Sequence, residues 1–523
     1  MTGGRDIGHR FNYRTATFDR VARWQNTDVM SEYPVVIQGG MGAGVSNWRL
    51  ARVVSQLGQL GVVSGTALDQ ILIRRLQDGD PGGHMRRGFD AFPFPRMTER
   101  IWQQYFIPGG KAERTPYELA PAHVKDNSHE VVELCIVSNF VEVFLAREGH
   151  ENPVGINFLE KIQPPHLSSL YGAMLAGVSY VLMGAGIPLK IPGVLDGLAE
   201  HQLVEYALHV TGAEEGDNTV RRFDPRDFME RNLAPLRRPR FLPIVSSNTL
   251  ATTILKRSNG RVDGLVIEMN TAGGHNAPPR GKLQLSEAGE PLYSERDAID
   301  IGKLCELGVP FWLAGGYGHP EKLREALSQG AAGVQVGTAF EFTDESGLRE
   351  DYKQGLLAKA IAGEAQVFTD PLASPTGFPF KIARLKGTNS EQEMYLSRPR
   401  ICDLGFLREP YKTPEGGIGY RCAAEPVSLY LSKGGKVEDT VGRKCICNAL
   451  VANIGYPQVR NGNRVERGIV TAGDDLSHVL QFLAPDCSSY KVADVLTTLL
   501  APLPPVRAVV PEFVHAEHIA TVL

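Results

Sequence analysis

The sequence predicts a parallel (β/α)8 barrel of TIM type, with two insertions and a long C-terminal extension. Three observations predict it. Short apolar, β-branched runs alternate with amphipathic segments from residue 34 to about 362, the order that builds a parallel sheet with helical crossovers. Eight such runs fall between residues 35 and 338, which suits a closed barrel better than a doubly wound sheet. The last two end in Gly315-Gly316 and Gly337-Thr338, and the final strands of such barrels often bind phosphate.

Each element has its own signal. Strand 35–38 (VVIQ) leads into GGMGAG and a helix from about 47 to 57, with Asn47 as N-cap and Leu50, Val53, Val54 and Leu57 on one face. Strand 61–65 and helix 69–77 follow. Residues 79–121 are rich in Pro, Gly, Arg and aromatics and read as a long irregular insertion. Helix 128–148, strand 153–159, helix 167–176 and strand 180–186 come next. A charged insertion spans roughly 190–240. Strand 241–247, helix 248–257, strand 262–269, helix 297–307, strand 310–314, helix 320–329 and strand 332–338 complete the series. Helix 349–362 closes the barrel, giving a division into residues 1–365 and an extension, 366–523, that packs on the barrel. Within the extension, Pro371, Pro375 and Pro379 exclude a regular helix over 369–381. Helices are expected near 475–484 and 490–500.

Composition narrows the function. A net charge of −4 argues against a general nucleic-acid binder. Seven cysteines, an odd and clustered set, suit a reducing compartment better than a disulfide scaffold. The N-terminus, MTGGRDIGHRFNYR, has no apolar core of signal-peptide type. The uncharged run 167–189 is long enough to cross a bilayer. Its serines, glycines and Pro188 read instead as a helix, a turn at Gly177 and a buried strand. A cytoplasmic protein is the expectation, without a membrane span.

The chemistry concentrates in GLVIEMNTAGGHNAPPRG (264–281). An apolar strand ends in Gly273-Gly274, and His275 follows at once. Glycine at a strand end lets backbone N–H groups approach a phosphate. Histidine can move a proton at neutral pH. A phosphate-bearing cofactor beside His275 is the simplest reading, and it points to an enzyme. GGMGAGVSN (39–47) does not complete a dinucleotide fingerprint, because Asn47 stands where Gly or Ala is needed. No P-loop motif occurs anywhere in the chain.

Several ordered stretches resemble the nitronate monooxygenase family, formerly called 2-nitropropane dioxygenases, and its relatives the flavin-dependent enoyl-ACP reductases. They are IQGGMGAGVS (37–46), VGINF (154–158), MGAGIP (183–188), VIEMNTAGGH (266–275), WLAGGYGHPEKLREALSQGAAGVQVGTAF (312–340) and ES (345–346). The resemblance implies an FMN-binding barrel. Gln38, Gly39, Gly40 and Met41 would lie against the isoalloxazine, and Asn157 would contact it from the third strand. Gly273, Gly274, Gly315, Gly316, Gly337 and Thr338 would hold the ribityl phosphate, and His275 matches the family's active-site histidine. QGGM stands where many nitronate enzymes read QAPM, and MGAGIP is closer to the enoyl reductases. Two activities therefore follow. One is oxidation of alkyl nitronates or similar small carbon acids with O2. The other is reduction of an enoyl thioester with NAD(P)H. A non-catalytic flavoprotein or interaction subunit is the third reading. The partners implied are a small-molecule or acyl-thioester substrate, with a homodimer and an acyl carrier protein left open.

Three features admit a blander reading. Cys402, Cys422, Cys445 and Cys447 lack a C-x-x-C pair, so buried free thiols are expected rather than a metal site. The aromatics Phe89, Phe92, Phe94, Trp102, Tyr105 and Phe106 either form a lid over the cofactor or pack outside the barrel; the lid is the expectation. Arg221, Arg222, Arg237, Arg238 and Arg240 read as a solvated face, with docking of an acidic carrier protein as the alternative.

Overall fold

A computed structural model describes residues 33–461 and 463–501. The N-terminal segment that bears on a leader lies outside these residues. Eight parallel strands form one sheet: β1 (Val36–Gln38), β2 (Gly61–Ser64), β3 (Val154–Leu159), β4 (Tyr180–Gly184), β5 (Arg240–Val245), β6 (Leu265–Glu268), β7 (Phe311–Ala314) and β8 (Gly333–Val336). Their order runs β1-β8-β7-β6-β5-β4-β3-β2. Gln38 N donates to Leu60 O at 2.9 Å and Leu60 N to Val36 O at 3.1 Å, which closes the sheet into a barrel. Each strand lies within three residues of its expected bounds.

Period-two alternation fills the interior. Tyr180 and Leu182, and Trp312 and Ala314, point inward with Ile37, Val62, Leu242 and Val266. Trp312 is fully buried, and its indole N–H donates to Pro34 O at 2.8 Å. This packed layer plugs the barrel below and leaves its upper face for chemistry.

The insertions differ from expectation. Residues 79–121 contain two helices, His84–Ala91 and Pro95–Tyr105. Pro95, within the stretch expected to be irregular, opens the second helix, where a missing N–H is no loss. Both helices pack on the long helix His129–Arg147. Phe89, Phe92, Phe94 and Tyr105 are buried in that outer layer, with Trp102 and Phe106 packed against it. The aromatic segment is therefore outside packing, not a lid. Residues 190–240 begin with the helix Ile191–Ala199 and continue as a hairpin pairing Val204–Ala207 with Val220–Phe223. The arginines there do not form one solvated face. Arg221 is buried and donates to Val124 O, and Arg238 is bound to Asp196 at 2.8 Å. The expected helix 297–307 is split, because Asp300 accepts from Lys303 N at 3.1 Å and starts a new helix, Ile301–Cys305.

The extension returns to the top of the barrel. Val367–Asp370 and Phe380–Ala383 form an antiparallel pair, consistent with the three prolines between them. Phe380–Ala383 also pairs with Gly274–His275, Phe380 facing His275. Asp474–Phe482 is a 3₁₀ segment packed on Glu350–Ile361, and Val492–Leu499 packs on Trp48–Gln56. Cys402, Cys422 and Cys445 gather with Ala424 in a small apolar cluster. Among the described residues, no group of three His, Cys, Asp or Glu is arranged to hold a metal ion. No helix there is long and apolar enough to cross a membrane.

Candidate active site

All eight strands open on one cleft at their C-terminal ends. It encloses about 1390 Å³ between its walls, open mouth included. Gly39, Gly40, Met41, Asn157, Gly273, Gly274, His275, Gly315, Gly316, Gly337 and Thr338 all line it. Gln38 does not. It is fully buried, its amide donating to Ser46 Oγ at 2.8 Å and accepting from Val62 N at 3.0 Å. Its side chain secures the barrel seam.

The walls show why these positions are glycine. A Cβ on Gly40 would fall 2.4 Å from Asn157 Cβ. Gly316 holds φ +71°, and a Cβ there would meet only Thr271, at 3.6 Å or more. Its backbone thus faces open space in a conformation that side chains resist. Asn157 Nδ2 donates to Gly40 O at 3.2 Å, while Asn157 Oδ1 and Gln335 Oε1 are buried on the cleft wall without a partner. Unpaired buried acceptors call for a donor from a ligand or water.

His275 is half-buried, held from one side by the extension. Its Nε2 shares a hydrogen bond of 2.7 Å with Ser374 Oγ, and its ring lies 4.9 Å from that of Phe380. Desolvation lowers the imidazole pKa from 6.5 to about 4, so the ring is neutral at pH 7. Glu268, at the end of β6, is pushed up from 4.5 to about 7 by desolvation. Both keep some solvent contact, as groups in an enclosed cleft rather than a dry core. The sequence reading passed over Glu268, although a lone carboxylate ending an apolar strand was a visible signal.

Two more carboxyls lie beside β8. Thr338 Oγ1 accepts from Gly473 N at 2.9 Å and is also bonded to Asp475. Burial raises Asp475, and burial together with Asp475 holds Glu341 well above the usual carboxylate range. Glu341 Oε1 has no partner. The described lining carries no lysine or arginine. An anionic group at Gly315-Gly316 and Gly337-Thr338 would therefore be held by backbone N–H groups, with Glu341 favoured in its neutral form. That arrangement fits FMN. The glycine-ended strands suit its phosphate, and the unpaired Asn157 and Gln335 oxygens suit the N–H of its ring.

The extension supplies the rest of the wall: Phe380, Phe406, Leu407, Ile446, Leu450 and Asp475 among others. Nothing in the sequence reading placed them here, because they lie more than 100 residues from the strands they face or depend on the turn at 371–379.

Residues 238–370 match the family model for nitronate monooxygenase. That stretch holds β5 to β8, both glycine pairs, Glu268 and His275, so the expected resemblance holds where the candidate chemistry lies. A (3aS,4S,5R,7aS)-5-hydroxy-7a-methyl-1-oxo-octahydro-1H-indene-4-carboxyl-CoA dehydrogenase of Rhodococcus jostii is 30% identical over 118 residues, covering 23% of this chain and 29% of that protein. The match thus spans under a third of that relative's length. Among solved structures, FabK from Thermotoga maritima aligns with a TM-score of 0.42 and 16% identity, over 90% of this chain and 92% of that one. A nitroalkane oxidase from Streptomyces ansochromogenes aligns with a TM-score of 0.40 and 14% identity, over 90% and 94%.

Gly316→Val should give a folded protein that binds FMN at least about tenfold more weakly, since valine resists the left-handed backbone and fills the open approach. Circular dichroism and an FMN fluorescence titration check this. Unchanged affinity would make Gly315-Gly316 a tight turn and nothing more.

Proposed function

We propose that this chain, whose residues 238–370 match the nitronate monooxygenase model within a closed (β/α)8 barrel, is an FMN-dependent oxidoreductase. It would oxidise alkyl nitronates or similar small carbon acids with O2. One observation carries the reading: glycine-ended β7 and β8 open on the same cleft as a neutral histidine and a carboxyl that titrates near 7.

Backbone at Gly315, Gly316 and Gly337 would hold the phosphate, and Gly39 to Met41 with Asn157 would meet the ring. When bound, FMN supplies the two-electron redox chemistry and its reoxidation by O2. The remaining work is proton transfer by the chain's own groups. Glu268 is the better matched to take a proton at pH 7, because a base works best with its pKa near the operating pH. With a neutral carbon acid as substrate, His275, uncharged and fixed by Ser374, would remove or guide the proton alpha to the nitro group; an alkyl nitronate arrives without that proton. The cleft's apolar outer wall limits water around the reacting carbon.

The apolar wall from the extension favours a second reading, an NAD(P)H-dependent enoyl-thioester reductase, since it offers room for an acyl chain. The Rhodococcus relative, by its name, acts on a carboxyl-CoA thioester. An acyl carrier protein would then be a partner. Stopped-flow absorbance separates the readings. Bleaching of the flavin by an alkyl nitronate without NAD(P)H supports the oxidase reading; bleaching by NAD(P)H alone supports the reductase. A flavin that neither donor reduces would leave an interaction subunit.

His275→Ala should keep its flavin and lose turnover by about 10² to 10⁴, the usual contribution of a positioned acid–base group. Steady-state rates beside flavin content check it; unchanged turnover would reduce His275 to a structural residue. The pH profile tests Glu268. Its carboxylate form grows as pH rises through about 7, so proton abstraction should rise through that pH and level off. Glu268→Gln should abolish that inflection. A profile that keeps it assigns the titration to another group.

A further inference from the structure

We infer that Ser374 sets the tautomer of His275, so that the ring accepts a hydrogen bond at Nε2 and presents Nδ1–H to the molecule in the cleft as a donor. Ser374 is a positioning residue, acting through His275. The use made of that donor rests on the oxidoreductase reading; the tautomer does not.

The inference follows from where each proton can go. A neutral imidazole carries one ring proton, so one nitrogen donates and the other accepts. Nε2 lies 2.7 Å from Ser374 Oγ. Ser374 Oγ also lies 2.8 Å from Thr376 Oγ1 and accepts from Thr376 N at 3.2 Å. Ser374 is fully buried, so water does not compete for its hydroxyl. Thr376 Oγ1 accepts from Phe378 N at 3.4 Å, and its own proton has Ser374 Oγ as its acceptor among the described residues. One order satisfies every group: Thr376 O–H donates to Ser374 Oγ, and Ser374 O–H donates to His275 Nε2. The reverse order, starting from Nε2–H, ends on a threonine proton with no described acceptor. The ring proton therefore sits on Nδ1. That atom has no hydrogen-bond partner among the described residues, and His275 lines the cleft.

The turn that carries Ser374 is held firmly. Asp370 Oδ1 accepts from Leu372 N at 2.9 Å and Ala373 N at 3.0 Å. Lys444 N donates to Ala373 O at 2.8 Å, and Arg443 Nη1 donates to Ser374 O at 2.6 Å. A fixed hydroxyl can hold one tautomer where a mobile one would allow both.

A donor at this place has a use. The described lining carries no lysine or arginine, so negative charge on a substrate has to be met by neutral donors. With a neutral carbon acid, the C–H bond breaks, its proton passes to the Glu268 carboxylate, and its electron pair moves onto the nitro oxygens, which accept from Nδ1–H. An alkyl nitronate brings the same charge with it and accepts from the same N–H. His275 thus guides the reaction, and Glu268 takes the proton.

Nitrogen-15 NMR of the holoenzyme at neutral pH, labelled only at histidine Nδ1, tests this, with His275→Gln identifying the His275 signal by difference. The parent should show a proton-bearing Nδ1. Ser374→Ala should shift that signal toward a bare Nδ1 and lower turnover about two- to tenfold, the worth of one hydrogen bond, while the inflection assigned to Glu268 stays in place. Thr376→Val, which leaves Ser374 no acceptor but His275, should keep the parent signal. A bare Nδ1 in the parent or in Thr376→Val, or a signal and turnover that Ser374→Ala leaves unchanged, overturns the proposal. If Ser374→Ala does not fold, the parent and Thr376→Val spectra decide it. The two readings fail separately: a colourless protein with a protonated Nδ1 loses the flavin reading and keeps this one, and a yellow protein with a bare Nδ1 does the reverse.

Discussion

Gly274 and His275 pair antiparallel with Lys381 and Phe380, and the geometry of the cleft depends on that contact. Without it, His275 would end a surface loop after β6. With it, the imidazole is packed beside Phe380 and bonded to Ser374. The contact is reinforced nearby. Asn276 N donates to Pro379 O at 2.9 Å, and Asp474 N donates to Thr271 O at 2.9 Å. Lys381 pairs with Asp474. Gly473 N reaches Thr338 Oγ1, so the loop that begins at Thr471 is tied to the ends of both β6 and β8. A Cβ on Gly273 would fall 2.6 Å from the Ala472 carbonyl carbon, which leaves glycine as the residue that fits between loop and extension. The extension is part of the site's wall and of its electrostatics.

The cleft manages charge by neutralisation rather than by pairing. Desolvation lowers His275 and raises Glu268, Glu341 and Asp475, so each group moves toward its uncharged form. No described lysine or arginine lines the cleft to reverse this. Backbone N–H groups at glycine-ended strands are then the available partners for a phosphate, and they need no counter-charge in the wall. In the proposed function proton transfer would fall to Glu268 and His275, whose order of pKa is inverted by the same cause acting on an acid and on a base.

Much of the barrel was legible because its signals are local. Apolar runs marked all eight strands, and Asn47 caps its helix as its side-chain type suggests, accepting from Arg49 N and Leu50 N. The Gly315-Gly316 pair was legible for the same reason, since it follows directly on β7; Gly273-Gly274 and His275 were expected to end β6 itself, but that strand stops at Glu268, and Gly274-His275 pair with the extension instead. Two kinds of feature were not. The stretch 79–121 looked irregular because a proline at a helix's first turn, as Pro95 is, and one in a loop read alike in isolation. The aromatics of 84–106 looked like a lid because their composition does not say which side of the barrel they cover; the helix His129–Arg147 decides it. Long-range partners were the other gap. Phe380 and Asp475 reach the cleft through the pairing of Phe380–Ala383 with Gly274–His275 and the ties around 471–475, and Phe406 and Leu450 through packing with the apolar cluster that holds Phe158 and Ile162. Gln38 shows the converse, a residue in the right motif whose side chain the barrel seam consumes.

The measurement that bears most directly on the flavin-barrel reading is the identity and amount of cofactor in the purified protein. The protein is denatured, the supernatant is separated by HPLC, and flavin is quantified against chain concentration. Glycine-ended strands and unpaired acceptors on the wall of one cleft predict one FMN per chain, released without covalent attachment. A well-folded preparation that releases FAD, or that carries no flavin and takes up none when FMN is added, would contradict that reading.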